Sequence, residues 1–192
     1  DKVMVPAFTY VATAEVIALL GLKPVMVDVD PQTFNLTPEI IEKNINPDIK
    51  AIVPVNLFGQ SVDIEAIMQI AAQQDTPVIL DNAQSIGSEV KSKSGSLIKS
   101  GALADIACTS FYPSKNLGAY GDGGALLTNN SKLGKKIRMI SNHGQSEKYI
   151  HDIIGCNSRL DSIQAAVLNV KLSHLDQYCE KRRLVADSYD EI

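Results

Sequence analysis

The segment Pro77-Val-Ile-Leu-Asp81-Asn-Ala-Gln84 joins an uninterrupted apolar run to a carboxylate that directly follows it. An apolar run without polar alternation is typical of a strand that is covered on both faces, as strands of parallel sheets are. A second run of this kind, Ala-Ile-Val-Pro-Val, occupies residues 51–55. The two segments therefore predict a sheet buried between layers of helices.

Short apolar runs alternate with helical patterns on both sides of this segment. The sequence predicts strands at 3–6, 24–29, 51–57, 77–82, 106–112 and 124–128. It predicts helices near 12–20, 37–45, 63–74 and 131–141, the second with Thr37 as N-cap and Pro38 at the first helical position. Such alternation implies right-handed crossovers, so the predicted fold class is α/β with a mostly parallel sheet.

Composition and charge exclude several classes of protein. The chain has 192 residues, 45% of them hydrophobic and 21% charged, which suits one sizeable core. A net charge of −4 gives no electrostatic basis for binding nucleic acid or an anionic membrane, and no apolar stretch is long enough to span a bilayer. The three cysteines show no metal-binding spacing, which predicts a cytoplasmic location and no metal site.

The carboxyl ends of parallel strands share one edge of a sheet, and ligands bind there. This rule brings together residues 6–10, 56–60, 81–84 and 110–115. Asp81 ends an apolar strand, where a carboxylate is costly unless a cation or strong donors meet it. Two interpretations stay open: Asp81 is the N-cap of a following helix, or it is the partner of a protonated ring nitrogen.

One lysine at this edge ends the segment Thr109-Ser-Phe-Tyr-Pro-Ser-Lys115, and glycines follow it at 118, 121, 123 and 124. The aromatic neighbours favour a chemical role for Lys115 over that of a surface lysine in a turn. A lysine that forms an imine with an aldehyde, and a carboxylate that faces a ring nitrogen, together serve the chemistry of pyridoxal phosphate (PLP). Lys115 and Asp81 are therefore predicted to bind this cofactor.

Three more side chains at this edge suit a flat phosphorylated ring, and each also has an ordinary structural interpretation. Gln84 hydrogen-bonds a ring substituent or faces solvent. The Ser110 hydroxyl either donates to a phosphate or is hydrogen-bonded within the protein at the end of its strand. Tyr10 stacks on the ring or packs in the core. A nucleotide phosphate loop is excluded, because no Gly-Lys-Ser/Thr follows the glycines.

Seven motifs are spread in order along nearly the whole chain. They are Pro6-Ala-Phe-Thr-Tyr-Val-Ala-Thr13, Pro24-Val-Met-Val-Asp-Val-Asp30, Asp81-Asn-Ala-Gln84, Ser110-Phe-Tyr-Pro-Ser-Lys115, Gly121-Asp-Gly-Gly124, Asn142-His-Gly-Gln145 and Asn157-Ser-Arg-Leu-Asp-Ser-Ile-Gln-Ala-Ala166. Together they resemble the DegT/DnrJ/EryC1/StrS family of sugar aminotransferases, PLP enzymes of fold type I (aspartate-aminotransferase-like). The resemblance implies a three-layer αβα large domain at 1–160 that is incomplete at its N-terminus. It implies a long helix at 161–192 that leads toward a smaller C-terminal domain.

The resemblance also implies a role for each residue at the predicted edge. Lys115 is implied to hold PLP covalently and to move protons, and Asp81 to pair with the pyridinium nitrogen. Gln84 is implied to lie beside the ring hydroxyl. Ser110 is implied to bind the phosphate, and Tyr10 to stack on the ring.

Three residues of the later motifs are implied to act at a subunit boundary or near the substrate. Asn157 matches the family asparagine that reaches the phosphate in the partner subunit's site, which implies a homodimer with shared sites. Arg159 and His143 match positions near the substrate. The motifs are most similar to those of enzymes that transfer an amino group from glutamate to UDP-linked 3-keto hexuronic acids, for O-antigen and other lipopolysaccharide synthesis.

Alternatives remain within the same fold. A PLP-dependent sugar dehydratase is expected to carry histidine in place of Lys115, and a non-catalytic or regulatory protein is expected to lose Lys115 or Asp81. Asn82 departs from the alanine that many relatives have. The family's phosphate loop is expected before residue 1 and its small domain after residue 192, so this chain alone is expected to bind PLP poorly and to lack activity.

Overall fold

The computed structural model describes residues 1–93 and 95–191. The strands are β1 (Lys2–Pro6), β2 (Lys23–Val27), β3 (Ile49–Ile52), β4 (Ile79–Asp81), β5 (Glu89–Lys91), β6 (Leu97–Lys99), β7 (Ile106–Ser110), β8 (Gly124–Leu127), β9 (Gln145–Glu147) and β10 (Ile150–His151). The helices are α1 (Ala12–Leu19), α2 (Pro38–Asn44), α3 (Ile64–Gln73), α4 (Ser131–Ser141), α5 (Ser162–Leu172) and α6 (Leu175–Asp190). Within this part of the chain no helix is long and apolar enough to cross a membrane.

The central strands lie in the order β2-β1-β3-β4-β7-β8. Strand β1 pairs in parallel with β2 and β3, and β4 pairs in parallel with β7. Parallel bridges Ile52–Val78 and Val55–Asp81 join β3 to β4, and of these six strands only β8 at the edge is antiparallel to its neighbour. The predicted α/β class with a mostly parallel sheet is confirmed.

Helices cover both faces of the sheet, which gives the predicted three layers. In β1, Val5 packs in a cluster with Ile17 of α1. Its neighbour Met4 packs in another cluster with Ile41 of α2 and Ile67 of α3. Because successive strand residues point to opposite faces, α1 covers one face and α2 with α3 covers the other.

The first turns of two helices are capped as their sequences suggest. The Thr37 hydroxyl accepts a hydrogen bond from the Ile40 N–H at 3.4 Å, with Pro38 at the start of α2. The Asp63 carboxylate accepts from the Ala66 N–H at 3.1 Å at the start of α3. Each cap satisfies an N–H that the helix itself leaves unpaired.

The last helical pattern forms two helices rather than the predicted single one. The Ser173 hydroxyl donates to the Val170 carbonyl at 2.9 Å, where α5 ends. Leu175 then starts α6 and packs against Leu168 of α5, and both are at most 8% exposed. Both leucines belong to an apolar cluster with Leu117 and Ala119 of the glycine-rich turn. The domain boundary at 160/161 stays a prediction, and residue 192 lies outside the described residues.

Candidate cofactor-binding site

The backbone of Asp81 is fixed between two neighbouring segments at the end of β4. Its N–H donates to the Pro54 carbonyl at 2.9 Å, and its carbonyl accepts from the Asn56 N–H at 3.0 Å. On the other side, Asp81 lies in register with Cys108 of β7. Only the two side-chain torsions of Asp81 are left to adjust.

The carboxylate of Asp81 accepts two hydrogen bonds from the protein. Thr13 Oγ1 donates to Oδ2 at 2.7 Å, and the Ala83 N–H donates to Oδ1 at 3.1 Å. Residues 82–88 form turns, so the interpretation of Asp81 as the N-cap of a following helix is wrong. A carboxylate oxygen has more than one acceptor position, and the group can therefore still accept from a ring N–H.

Cys108 is the partner of Asp81 in the register of β4 and β7 and carries a titratable thiol. Burial, with a smaller contribution from the negative charge of Asp81, raises the pKa of Cys108 to about 11. The thiol therefore stays neutral at physiological pH and adds no second negative charge beside the carboxylate.

Lys115 lies after β7, at the start of the glycine-rich turn, and is half-buried. Its N–H donates to the Tyr112 carbonyl at 2.9 Å, which closes a tight turn after the strand. Its ammonium group makes no hydrogen bond or ion pair with residues 1–93 or 95–191. A half-buried amine without a protein partner, at the sheet edge that carries Asp81, suits a chemical role better than that of a solvated surface lysine.

The glycine-rich turn is held in place by α5. The Tyr120 N–H donates to Gln164 Oε1 at 2.8 Å, and Lys171 Nζ donates to the Gly118 carbonyl at 2.6 Å. A Cβ atom at Gly118 would overlap the carbonyl oxygen of Pro113. Glycine is thus needed here for a close backbone approach, and the turn has a single defined path.

Three other predicted residues lie at the same sheet edge. Gln84 is half-buried and its Oε1 accepts from the Phe58 N–H at 2.6 Å, so it does not simply face solvent. Ser110 Oγ accepts from the Tyr112 N–H at 3.2 Å, as a strand-end hydroxyl does, and its own hydrogen remains available to a phosphate. Tyr10 is 71% exposed, so the core interpretation is wrong and its ring is open to stacking.

The remaining predicted residues lie in residues 142–161, called the exposed segment below. It carries His143, Asn157 and Arg159, and all three are exposed. Its two arms are joined by an antiparallel bridge between Asn142 and Asn157. The His143 backbone has φ of 57°, and its carbonyl is hydrogen-bonded to a ring nitrogen of His151 at 2.9 Å.

The exposed segment is not connected to the sheet edge by polar contacts. Arg159 pairs at 3.6 Å with Asp161, and both side chains are 71% exposed. Throughout the described part of the chain, no hydrogen bond or ion pair joins the segment to Asp81 or Lys115. The structure therefore places five predicted residues at the ends of neighbouring strands and three in the exposed segment.

The chemistry of the sheet-edge side chains fits PLP. An amine, a carboxylate, an amide and a hydroxyl match the aldehyde, the ring nitrogen, the ring oxygen and the phosphate of that cofactor. Among residues 1–93 and 95–191 no group of His, Cys, Asp or Glu side chains is arranged to hold a metal ion.

Comparison with known proteins agrees with this set of side chains. The model of the DegT/DnrJ/EryC1/StrS aminotransferase family matches residues 1–192. The chain belongs to this family. The aminotransferases of this family are PLP-dependent and of fold type I, so the predicted family, fold type and cofactor are confirmed.

Three similar proteins illustrate the range of the family. UDP-2-acetamido-2-deoxy-3-oxo-D-glucuronate aminotransferase of Pseudomonas aeruginosa is 52% identical over 190 residues, which cover 99% of this chain and 52% of that protein. The pleiotropic regulatory protein of Geobacillus stearothermophilus is 48% identical over 192 residues, 100% of this chain and 50% of that one. The solved structure of NtdA from Bacillus subtilis with bound cofactor PMP superposes with a TM-score of 0.88 at 38% identity, covering 98% of this chain and 42% of NtdA. The chain spans about half the length of the curated relatives it matches.

Three residues that shape the site are missing from the sequence-based prediction. Thr13 contacts Asp81, and Gln164 and Lys171 hold the glycine-rich turn. A threonine inside a helical pattern was a usable signal for the first, because threonine is a poor helix former that needs another reason to be there. Nothing in the sequence around α5 indicates which of its polar residues face the turn.

Proposed function

We propose that the protein carrying this chain is a PLP-dependent aminotransferase that acts on a nucleotide-linked keto-sugar. The half-buried, unpaired ammonium of Lys115, at the sheet edge where Asp81 is held by two donors, carries the proposal. Family membership supports it. When bound, PLP withdraws electrons from the substrate carbon attached to its imine nitrogen, which makes a C–H proton there acidic.

The side chains at the sheet edge divide the work of binding. Asp81 would accept a hydrogen bond from the ring N–H of PLP and favour the protonated ring. Gln84 would use its Nε2 for the ring oxygen, since its Oε1 accepts from the Phe58 N–H. The Ser110 hydroxyl would donate to the phosphate, and the Tyr10 ring would stack on the face of the cofactor ring.

Lys115 is the proposed catalytic residue. Lys115 Nζ would hold the aldehyde of bound PLP. When it is not attached to the cofactor, the same amine would take a proton from the donor carbon and return it within the site. The rigid turn held by α5 keeps this amine in position.

We assign the exposed segment to a homodimer interface, with Asn157 reaching the phosphate in the partner subunit's site. The segment carries apolar side chains that are almost completely exposed, with Ile154 at 97% and Tyr149 at 81%. Exposed apolar side chains at this density favour a protein contact. Asn157 makes no polar contact with Lys115 of its own chain, which suits a role in another subunit.

For the substrate, we propose a UDP-linked 3-keto hexuronic acid, with glutamate as amino donor. The 52% identical relative from Pseudomonas aeruginosa is named for a substrate of this type. Arg159 provides a cation for the uronate carboxylate, and His143 lies in the same exposed segment. The product then serves synthesis of surface polysaccharides such as O-antigen and lipopolysaccharide, and the three unpaired cysteines suit the cytoplasm.

A regulatory role is the second candidate. The Geobacillus stearothermophilus relative, at 48% identity, is named a pleiotropic regulatory protein. The presence of both Lys115 and Asp81 favours the enzyme, because binding alone does not need an amine free to move a proton.

The test uses the full-length protein that contains this chain. We expect an absorption band of bound PLP near the visible edge, and borohydride should fix the cofactor to the peptide with Lys115. Turnover should follow when glutamate and a panel of UDP- and TDP-linked keto-sugars are supplied. A protein without PLP would contradict the proposal, and a protein that binds PLP but shows no glutamate half-reaction would favour the regulatory role.

A further inference from the structure

Thr13 of α1 reaches Asp81 from a distant part of the sequence. The two residues are 68 positions apart, and Thr13 Oγ1 donates to Asp81 Oδ2 at 2.7 Å. Thr13 is only 5% exposed. Few water molecules can therefore reach this hydroxyl to replace the carboxylate as its partner.

A second threonine extends this contact. Thr9 Oγ1 lies 3.3 Å from Thr13 Oγ1. Because the hydrogen of the Thr13 hydroxyl points to Asp81, Thr9 is the donor in this second hydrogen bond. The result is a directed series from Thr9 to Thr13 to Asp81.

Threonine in a helix usually bonds to the carbonyl of its own preceding turn or adds nothing to helix stability. In α1 the Thr13 hydroxyl is used for another element instead. The carboxylate it meets receives its other donor, the Ala83 N–H at 3.1 Å, on the second oxygen. Two donors on two different oxygens restrict both side-chain torsions of Asp81.

We propose that Thr13, supported by Thr9, is a positioning residue that holds the Asp81 carboxylate in the orientation needed to receive the ring N–H of PLP. The inference rests on the proposed function. Thr13 itself does not touch the cofactor in this account. It acts through Asp81, whose remaining acceptor positions it leaves open toward the ligand.

The competing explanation is that the Thr13–Asp81 hydrogen bond only attaches α1 to β4. Both explanations predict a loss of stability when the hydroxyl is removed. Only the positioning role predicts that the environment of the bound cofactor changes as well. The absorption spectrum and the dissociation constant of PLP therefore separate the two.

The experiment compares four variants of the full-length protein. Thr13→Val removes the hydroxyl and keeps the branched shape, Thr13→Ser keeps the hydroxyl, and Thr9→Val removes the second donor. The matched control is Thr76→Val, because Thr76 is 7% exposed and its hydroxyl donates to the Gln74 carbonyl at 3.2 Å, on the loop before β4. PLP dissociation constants are measured by titration, absorption spectra on the loaded proteins, and folding by circular dichroism.

Thr13→Val should weaken PLP binding by about tenfold and shift the absorption maximum of the bound cofactor. Thr13→Ser should restore both to near the wild-type values, and Thr9→Val should weaken binding by about threefold. Thr76→Val should lose stability without changing either readout.

A folded Thr13→Val protein with the wild-type dissociation constant and spectrum would overturn the inference and leave the proposed function standing. Failure of Thr13→Ser to restore binding would overturn it too. If Thr13→Val does not fold, the Thr9→Val protein provides the test. A wild-type PLP dissociation constant in that protein would count against the inference. A wild-type protein that binds no PLP would overturn both this inference and the proposed function.

Discussion

The sheet edge and the exposed segment differ in how their functional side chains are held. At the sheet edge, Asp81 and Gln84 are hydrogen-bonded to groups from other parts of the chain. In the exposed segment, Asn157 and Arg159 are exposed, and the pair of Arg159 with Asp161 spans only two residues. The first region is organised by the fold of a single chain, whereas we have proposed that the second is completed by a partner subunit.

This difference predicts different effects of substitutions in the two regions. Side chains that are fixed before a ligand arrives lose little conformational freedom on binding. Exposed side chains without tertiary partners must be ordered by whatever covers them. We therefore expect substitutions at the sheet edge to affect the chemistry directly, and those in the exposed segment to act through subunit assembly.

The largest expected effect is that of Lys115→Ala. The turnover rate should fall by about 10³-fold or more, because both the covalent attachment of PLP and the proton transfer are lost. Steady-state assays with glutamate, together with mass spectrometry after borohydride treatment, measure this change. The control is Lys132→Ala, an exposed lysine of α4, which should keep wild-type rates. If borohydride still fixes the cofactor to the Lys115→Ala protein, the assignment of Lys115 as the residue that holds PLP is contradicted.

Gly118→Ala should give the next largest effect, by disturbing the turn that positions the lysine. The new Cβ overlaps the Pro113 carbonyl oxygen, so unfolding free energy should fall by about 2–4 kcal/mol. Gly134→Ala is the matched control, since its Cβ meets only Thr128 Cγ2 at 3.6 Å inside a helix and should stabilise by up to about 1 kcal/mol. Urea denaturation measures both values. Equal behaviour of the two variants would show that the turn is adaptable.

On the proposed shared site, Asn157→Ala removes a phosphate donor from the partner subunit's site and should weaken PLP binding by about tenfold in the assembled protein. Its unfolding free energy should stay close to that of the wild type, since Asn157 is exposed and makes no side-chain hydrogen bond within the described chain. Asn44→Ala, an exposed asparagine at the end of α2, is the control. Unchanged PLP affinity in Asn157→Ala would argue against a shared site.

The smallest effect is expected for the stability of Arg159→Ala. Both side chains of its pair with Asp161 are 71% exposed, so the free energy of unfolding should fall by less than about 0.5 kcal/mol. For comparison, Thr37→Ala removes the N-cap of α2 and should cost about 1 kcal/mol. Chemical denaturation measures the free energy of unfolding of both variants. A larger loss for Arg159→Ala would mean that the exposed segment is part of the folded core.

The six central strands and the first four helices were predictable because local signals agree with the tertiary structure. In the apolar run at 77–80, Val78 and Leu80 are fully buried and Ile79 is half-buried, and Thr37 with Pro38 starts α2 as their chemistry suggests. The break between α5 and α6 was not predictable, because the apolar spacing continues through residues 173–174 and neither Gly nor Pro interrupts it. On either side of the break, Leu168 and Leu175 pack in one cluster with Leu117 and Ala119 of the glycine-rich turn, and that packing is a tertiary effect.

The candidate site was predictable where residues follow strand ends and unpredictable where they come from helices. Asp81 and Ser110 end apolar runs, so the topology of a parallel sheet places them at one edge. Thr13 and Gln164 lie inside helical patterns, and the sequence does not say which strand or loop each helix face meets. Within the described chain Asn157 makes no side-chain hydrogen bond to this edge, and its assignment to a shared site stays a prediction.

The most direct test of a site shared between two chains combines two inactive variants of the full-length protein. Lys115→Ala removes the amine, and Asn157→Asp places a negative charge against the phosphate. In a mixed dimer, one site contains both Lys115 and Asn157, so an equal mixture of subunits should recover about a quarter of the wild-type rate of the glutamate half-reaction. Mixed dimers that are verified by tandem affinity tags and show no more activity than either parent would contradict the account.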